Sequence, residues 1–184
     1  MSLDLETPPD DPRDLLAATA RDLYGRGWMA GTAGNLSHRL PDGSFWITAS
    51  GKAKGNLGRR DFLRIAPDGE VVERGRPDDR PSAETSLHTA LYELYPQARA
   101  CYHVHTIAAN LASRLTDGDF LPLPPIEMIK GLGVWDENPR VGIAVVPNHA
   151  DVPRVADEVV ARFLSAPPRL PGFLIRDHGL TVWA

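Results

Sequence analysis

The feature of this sequence that most directly indicates chemistry is a pair of histidines, His103 and His105, separated by one residue. They lie in an alternating β-branched and aromatic run, residues 99–105, which predicts a β-strand. Residues i and i+2 of a strand share a face, so both imidazoles point the same way and can bind one metal ion together. The pair alone is also consistent with two partly buried, hydrogen-bonded rings. A catalytic zinc site needs a third protein ligand.

His178 is the best candidate for that third ligand. It lies in an Asp-His-Gly sequence between two apolar, strand-like runs, 172–176 and 180–183. We expect Gly179 to take a positive φ and so present the His178 ring at a strand end, where ligands collect in α/β folds. Together the three histidines predict a divalent-metal site.

Three segments rich in glycine and hydroxyl residues are candidates for binding an anion. Glycine lets backbone N–H groups approach a phosphate closely, and Ser82 is expected at a helix N-terminus, where unpaired N–H groups favour negative charge. Each segment alone is also compatible with an ordinary turn or cap. A phosphate site therefore requires all three to converge. The candidate residues are Gly34, Asn35, Ser50, Gly51 and Ser82.

Two carboxylates are candidates for a general base. Glu84 is expected in the first turn of the helix before the histidine strand, and Glu127 follows a proline-rich loop. A first-turn glutamate more often stabilises the helix dipole, and an exposed loop glutamate is more often only solvated. Either would be a credible base if it faced the metal, because partial desolvation can tune its pKa for proton transfer. The residues alone do not choose between them.

Composition excludes several classes of protein. The 184 residues suit one domain with a substantial core, and a single cysteine, Cys101, excludes an intrachain disulfide. A formal net charge of −4 lacks the basic surplus expected of a nucleic-acid binder. The sequence shows neither a charged-then-apolar leader nor a long uncharged apolar run. It therefore indicates neither secretion nor a membrane span. We therefore expect a cytoplasmic protein with neither a nucleic-acid nor a membrane partner.

Hydrophobic spacing predicts the elements that would position these residues. We expect a flexible N-terminal segment over residues 1–13 and a single domain over 14–184. Helices are predicted from residue 14, from 85, from 107 and over 152–164, with hairpin turns at 40–43 and 67–69 and a strand at 142–146. This order predicts an α/β fold, a three-layer α/β/α sandwich around a mainly antiparallel sheet.

With these residues in view, the sequence resembles the class II aldolase and adducin family from about Asp14 to Ala184. The resemblance lies in Gly34-Asn-Leu-Ser37, Thr48-Ala-Ser-Gly51, Ser82-Ala-Glu84, His103-Val-His105 and Asp177-His178-Gly179. Within the family it is closest to a dehydratase branch, through the segments at 81–85, 127–131 and 176–183. Family members usually continue beyond the segment matching Trp183-Ala184 with a further helix.

The resemblance implies a zinc ion held by His103, His105 and His178, phosphate binding by the three glycine- and serine-rich segments, and a homotetramer with sites near subunit interfaces. It implies zinc-dependent dehydration of 5-methylthioribulose 1-phosphate to 2,3-diketo-5-methylthiopentyl 1-phosphate, a step of methionine salvage. In the dehydratase branch the position of Glu127 transfers the proton, whereas in the aldolases the position of Glu84 acts on the enediolate. We therefore prefer Glu127 as the proton-transferring group and keep Glu84 as the alternative.

Two other functions are compatible with the resemblance. One is a class II aldolase or epimerase acting on another sugar phosphate, such as fuculose or ribulose phosphate. The other is a non-catalytic scaffold, as in the adducin branch. The intact set of three histidines argues against the scaffold, because a binding module has no need to preserve metal-ligand geometry.

Overall fold

The computed structural model describes residues 11–184. The helices are α1 (Pro12–Gly25), α2 (Thr85–Leu94), α3 (Ile107–Ser113) and α4 (Val152–Ser165). The strands are β1 (Asn35–Arg39), β2 (Phe45–Thr48), β3 (Phe62–Ile65), β4 (Val71–Arg74), β5 (Ala100–Val104), β6 (Phe120–Pro122), β7 (Gly142–Val146), β8 (Gly172–Ile175) and β9 (Gly179–Trp183). Short 3-10 helices cover Lys54–Asn56, Arg59–Asp61 and Glu127–Leu132.

The strands form one sheet in the order β4-β3-β2-β1-β5-β9-β8-β7-β6. Every neighbouring pair is antiparallel except β7 and β8, which are parallel. The β1–β2 and β3–β4 hairpins turn at the predicted Pro-Asp-Gly sequences. The prediction of a mainly antiparallel sheet is confirmed, and β5, the histidine strand, lies in the middle of it.

Helices cover both faces of this sheet. Successive residues of β2 show the division, since Ile47 packs in the cluster with α2 and α4, whereas Trp46 packs in the cluster with α1. Helix α3 covers the same face as α1, where its Ala109 packs with Val145 of β7. The predicted three-layer α/β/α sandwich is confirmed. None of the helices within residues 11–184 is long and apolar enough to span a bilayer.

The first helix begins earlier than its hydrophobic spacing predicted. Asp11 caps it by accepting a hydrogen bond from the Arg13 backbone N–H at 3.0 Å, and Pro12 occupies the first turn. Proline suits this position because its fixed φ is helical and its missing N–H would have no partner there. Residues 11–13 therefore belong to the helix start, while the rest of the expected flexible segment lies outside the described residues. The single domain over 14–184 stays a prediction.

The turn that carries His178 differs in detail from the prediction. The positive φ falls on Asp177, at 54°, whereas Gly179 is already the first residue of β9 and has no positive φ. The expectation for Gly179 was therefore wrong. Glycine is needed at 179 for another reason: a Cβ there would lie 2.3 Å from the carbonyl oxygen of Val104 on the adjacent strand.

This close packing gives a first testable prediction. The change Gly179→Ala should lower the free energy of unfolding by about 1–3 kcal/mol, because the added methyl group must push β9 away from β5. Urea unfolding followed by circular dichroism measures the loss. Gly25→Ala is the control, since a Cβ there meets nothing within 4 Å. Unchanged stability of Gly179→Ala would contradict the packing explanation.

Candidate metal centre

Four side chains converge at the end of β5 with ligand atoms within 4.8 Å of one another: Glu84, His103, His105 and His178, here called the metal group. Nε2 of His105 lies 2.8 Å from Nε2 of His103 and 3.2 Å from Nε2 of His178. Oε1 of Glu84 lies 3.2 Å from Nε2 of both His103 and His178. The structure thus brings the three predicted histidines together and adds Glu84 to them.

Pairing of β5 with β9 explains how distant histidines meet. His103 lies within β5 and is paired with Thr181 of β9, so the turn before β9 comes to the end of β5. That turn carries His178. His105 is the first residue beyond β5, and its backbone N–H donates to the carbonyl of Trp28 at 2.9 Å. Both rings of the His-x-His pair therefore reach the same point.

The metal group fits a tetrahedral divalent ion such as zinc. Imidazole nitrogens and carboxylate oxygens bind zinc at about 2.0–2.2 Å, which places ligand atoms at tetrahedral corners roughly 3.3 Å apart. Four of the six separations within the metal group are 2.8–3.2 Å, close to that value, and all six are within 4.8 Å. Three imidazoles and one carboxylate are also a donor set that zinc accepts.

Outer hydrogen bonds orient two of the rings. Nδ1 of His103 lies 2.9 Å from Oγ1 of Thr181, and Nδ1 of His178 lies 3.3 Å from Oδ1 of Asn148. A ring that donates through Nδ1 leaves the lone pair of Nε2 available as a metal ligand. These contacts therefore turn the Nε2 atoms towards one another.

At neutral pH, the surroundings of His103, His105 and Glu84 favour the protonation states in which these side chains bind metal. Burial lowers the pKa of His103 to about 3, and burial also lowers the pKa of His105. Burial alone would raise the pKa of Glu84, but its contacts with His178, His103 and Asn35 outweigh burial and lower that pKa to about 2. Neutral imidazoles and an ionised carboxylate are the forms that bind metal.

A buried chain of polar side chains holds Glu84 in place. The amide nitrogen of Asn35 donates to the Glu84 carboxylate, and its amide oxygen accepts from Nε2 of His88. Nδ1 of His88 lies 2.7 Å from the hydroxyl of Ser37, which in turn lies 2.8 Å from the hydroxyl of Tyr92. Burial lowers the pKa of His88 to about 4, so the ring is neutral and can link both neighbours.

The five candidate anion-binding residues line a single cavity of about 180 Å³ beside the metal group, here called the anion cavity. Glu84 and His105 line it too, so the cavity and the metal group are continuous. Its walls are Thr32, Ala33, Gly34, Asn35, Thr48, Ala49, Ser50, Gly51, Lys54, Ser82, Glu84 and His105. The three segments therefore converge on one cavity, and their role in binding phosphate stays a prediction.

Glycine is required where the first of these segments meets the histidine strand. Gly34 has a φ of 75°, and a Cβ there would lie 2.7 Å from the carbonyl oxygen of His103. Ser82 lies just before α2, where its hydroxyl accepts from the backbone N–H of Glu84 at 3.3 Å. The segments are thus packed directly against the metal group.

Glu127 is not brought to the histidines. It begins a 3-10 helix, its side chain is 83% exposed, and its carboxylate pairs with Nζ of Lys130 at 2.7 Å. It lines a different cavity, shared with Trp135. Of the two candidate bases, Glu84 is the one that the described chain places in the metal group.

The sequence analysis does not predict Thr181 or Lys54 as site residues, and it does not connect His88 with Glu84. His88 follows Glu84 by four residues, a spacing that shares one face of a helix, so this signal was present. Thr181 and Lys54 carry no comparable signal, because their roles arise from strand pairing and loop packing.

Comparison with known proteins places the chain in a family. The profile of the class II aldolase and adducin N-terminal domain matches residues 14–184, and the chain belongs to this family. It is 57% identical over 173 residues to the methylthioribulose-1-phosphate dehydratase of Microcystis aeruginosa, covering 94% of this chain and 84% of that one. It is 45% identical to the dehydratase of the same name from Leptospira biflexa, over 87% and 80% of the two chains.

Solved structures share the fold. The crystal structure of YgbL from Escherichia coli superposes with a TM-score of 0.78 at 27% identity, covering 94% of this chain and 78% of that one. L-fuculose-1-phosphate aldolase from Thermus thermophilus gives a TM-score of 0.70 at 24% identity, over 93% and 78% of the two chains. The second likeness is one of fold alone.

Removing one imidazole tests the metal group. The change His105→Ala should abolish bound zinc, since it removes a ring that contacts both other histidines. Metal content is measured by elemental mass spectrometry after dialysis, with circular dichroism to show that the variant is folded. His38→Ala is the control, because His38 lies on β1 outside the metal group. Stoichiometric zinc in folded His105→Ala would refute the site.

Acidification gives a second test of the same group. Protons compete with metal for imidazole nitrogens, and the pKa values of His103 and His105 lie below the ordinary 6.5. Zinc should therefore be retained as pH falls through 6.5 and be lost only in more acidic solution. Equilibrium dialysis at stepped pH measures retention, with circular dichroism at each step. Loss of zinc from folded protein already near pH 7 would contradict the assignment.

Proposed function

We propose that this chain is a zinc-dependent lyase that dehydrates 5-methylthioribulose 1-phosphate to 2,3-diketo-5-methylthiopentyl 1-phosphate in the methionine salvage of the cytoplasm. The observation that carries the proposal is the continuity between the metal group and the anion cavity. The names of the relatives at 57% and 45% identity support the choice of reaction.

The arrangement suits a phosphorylated ketose. Backbone N–H groups and hydroxyls of the anion cavity, from Gly34, Ser50, Gly51 and Ser82, would hold the phosphate and so orient the reacting carbons. His103, His105 and His178 would hold the zinc ion. When bound, that ion supplies positive charge against the negative charge that develops on the substrate oxygens as the C3 proton leaves.

Dehydration needs a group that takes the C3 proton and an acid that assists departure of the C4 hydroxyl as water. Glu84, with its pKa lowered to about 2, is a weak base, and its contacts with two histidines suit an ionised partner of the metal group. This favours a separate proton carrier. Glu127 is the candidate that the family resemblance offers for this carrier. To transfer the proton, its segment would have to lie against a metal group.

An aldolase or epimerase would use the same enediolate but act on a different bond. Its requirements at the metal group and the anion cavity are therefore the same, and the two readings differ in the substrate and in the proton carrier. The relatives named as dehydratases favour dehydration, because their identity to this chain exceeds that of the aldolase structures.

We also propose that the protein is a homo-oligomer, with a tetramer as the expected form. Helix α3 presents three exposed apolar side chains at helical spacing, Ile107, Leu111 and Leu115, the last lying just beyond its end. Such a face is typical of a protein interface. Because α3 begins two residues after His105, contact there would lie beside the metal group.

Turnover assays test the proposed reaction and the roles of the two glutamates. Wild-type protein should convert 5-methylthioribulose 1-phosphate to the diketone, whereas fuculose and ribulose phosphates should not be cleaved. We expect Glu127→Gln to keep zinc and to lose at least about 100-fold in kcat, the range of general acid–base catalysis. Glu84→Gln should lose zinc affinity and turnover together, because it removes a charge from the metal group.

Asp136→Asn is a control for the first variant, since Asp136 lines the same surface cavity as Glu127 but pairs with Arg169. Full activity in Glu127→Gln, with an inactive Glu84→Gln that retains zinc, would assign proton transfer to Glu84. Release of glycolaldehyde or dihydroxyacetone phosphate from a sugar phosphate, with no diketone formed, would identify an aldolase instead.

A further inference from the structure

Lys54 places a buried positive charge at the anion cavity. Its side chain is 1% exposed and lines the cavity together with Ser50, Gly51 and Ser82. Among the described residues that line this cavity, it is the one lysine or arginine. The other groups available to an anion there are neutral hydroxyls and backbone N–H groups.

The ammonium group of Lys54 has a hydrogen-bond donor to spare. Nζ donates to the carbonyl oxygen of Thr32 at 2.7 Å and to that of Lys52 at 3.0 Å. A lysine ammonium carries three donors. Within residues 11–184 no protein acceptor takes the third one, and no carboxylate lies within salt-bridge distance of Nζ.

An unpaired buried ammonium is costly, which indicates that a counter-charge is missing. Burial lowers the pKa of Lys54 to about 8, and attraction to Glu84 only partly opposes this. Lys52, two residues earlier, does have a counter-charge, because its Nζ lies 2.5 Å from a carboxylate oxygen of Asp79. The chain thus supplies a carboxylate for one lysine of this loop and none for the other. An anion in the cavity would satisfy Lys54.

We propose that Lys54 donates its third N–H to the phosphate group of the substrate and supplies the charge by which the cavity selects phosphorylated ketoses. This inference rests on the proposed function for the identity of the sugar. The binding of an anion is inferred separately, from the cavity and the unused N–H of Lys54. A charge-assisted bond to phosphate is stronger than the neutral bonds available from Ser50 and Ser82. Lys54 is therefore the residue whose loss should weaken phosphate binding most.

A purely structural role is the competing explanation, because the two carbonyl bonds of Lys54 tie together the loops at 32 and 52. Lys54→Gln separates the two roles, since glutamine can still donate to a carbonyl but carries no charge. Lys52→Gln is the matched control on the same loop, outside the cavity walls. Lys54→Arg restores the charge.

The probe is inorganic phosphate, titrated calorimetrically into zinc-loaded protein at fixed pH and salt. We expect Lys54→Gln to bind phosphate at least about tenfold more weakly than wild type, and Lys52→Gln to stay within about twofold. Lys54→Arg should recover part of the affinity. In turnover assays the same Lys54→Gln should raise KM for the sugar phosphate more than it lowers kcat, because a remote anchor is lost.

Two results would overturn the inference: wild-type affinity for phosphate in folded Lys54→Gln, or no phosphate binding by the wild type at millimolar concentration. If Lys54→Gln does not fold, Lys54→Arg decides, with retained affinity in support and a loss above about tenfold against. Failure of the proposed function is separate. A wild type that binds phosphate through Lys54 without dehydrating 5-methylthioribulose 1-phosphate would keep the inference and discard the substrate.

Discussion

The crowding of four ligand atoms within 4.8 Å of one another is the constraint on which the rest of this structure depends. Lone pairs of imidazole nitrogens and carboxylate oxygens repel when they face one another, so such a group needs a proton or a cation among its members. Burial lowers the pKa of His103 and so opposes the proton. A divalent ion resolves the conflict, which is why the group is best understood as a metal centre.

The sheet is what makes this crowding possible. Antiparallel pairing of β5 with β9 sets His103 opposite Thr181 and brings the turn with His178 to the strand end. Pairing of β1 with β5 sets Asn35 opposite His103, and so places the Asn35 amide between Glu84 and His88. Backbone hydrogen bonds therefore position both the ligands and the side chains that support them.

Charge is distributed unevenly between the two halves of the site. The metal group holds the buried carboxylate of Glu84, whereas the anion cavity holds the buried ammonium of Lys54. Attraction to Glu84 acts to raise the pKa of Lys54, and the charge of Lys54 acts to lower the pKa of His105. A substrate with electron-rich oxygens at one end and a phosphate at the other would match this division. The polarity of the site thus restricts the class of ligand and its direction of binding.

Much of this was predictable from sequence, because local patterns carry it. Alternation predicted the strand with His103, the Pro-Asp-Gly sequences predicted both hairpins, and the order of elements predicted the α/β/α sandwich. The choice between Glu84 and Glu127 at the metal group, the positive φ at Asp177 and the burial of Lys54 were decided by tertiary structure. These depend on which strands pair and which loops pack, contacts between residues far apart in the chain that no local pattern encodes.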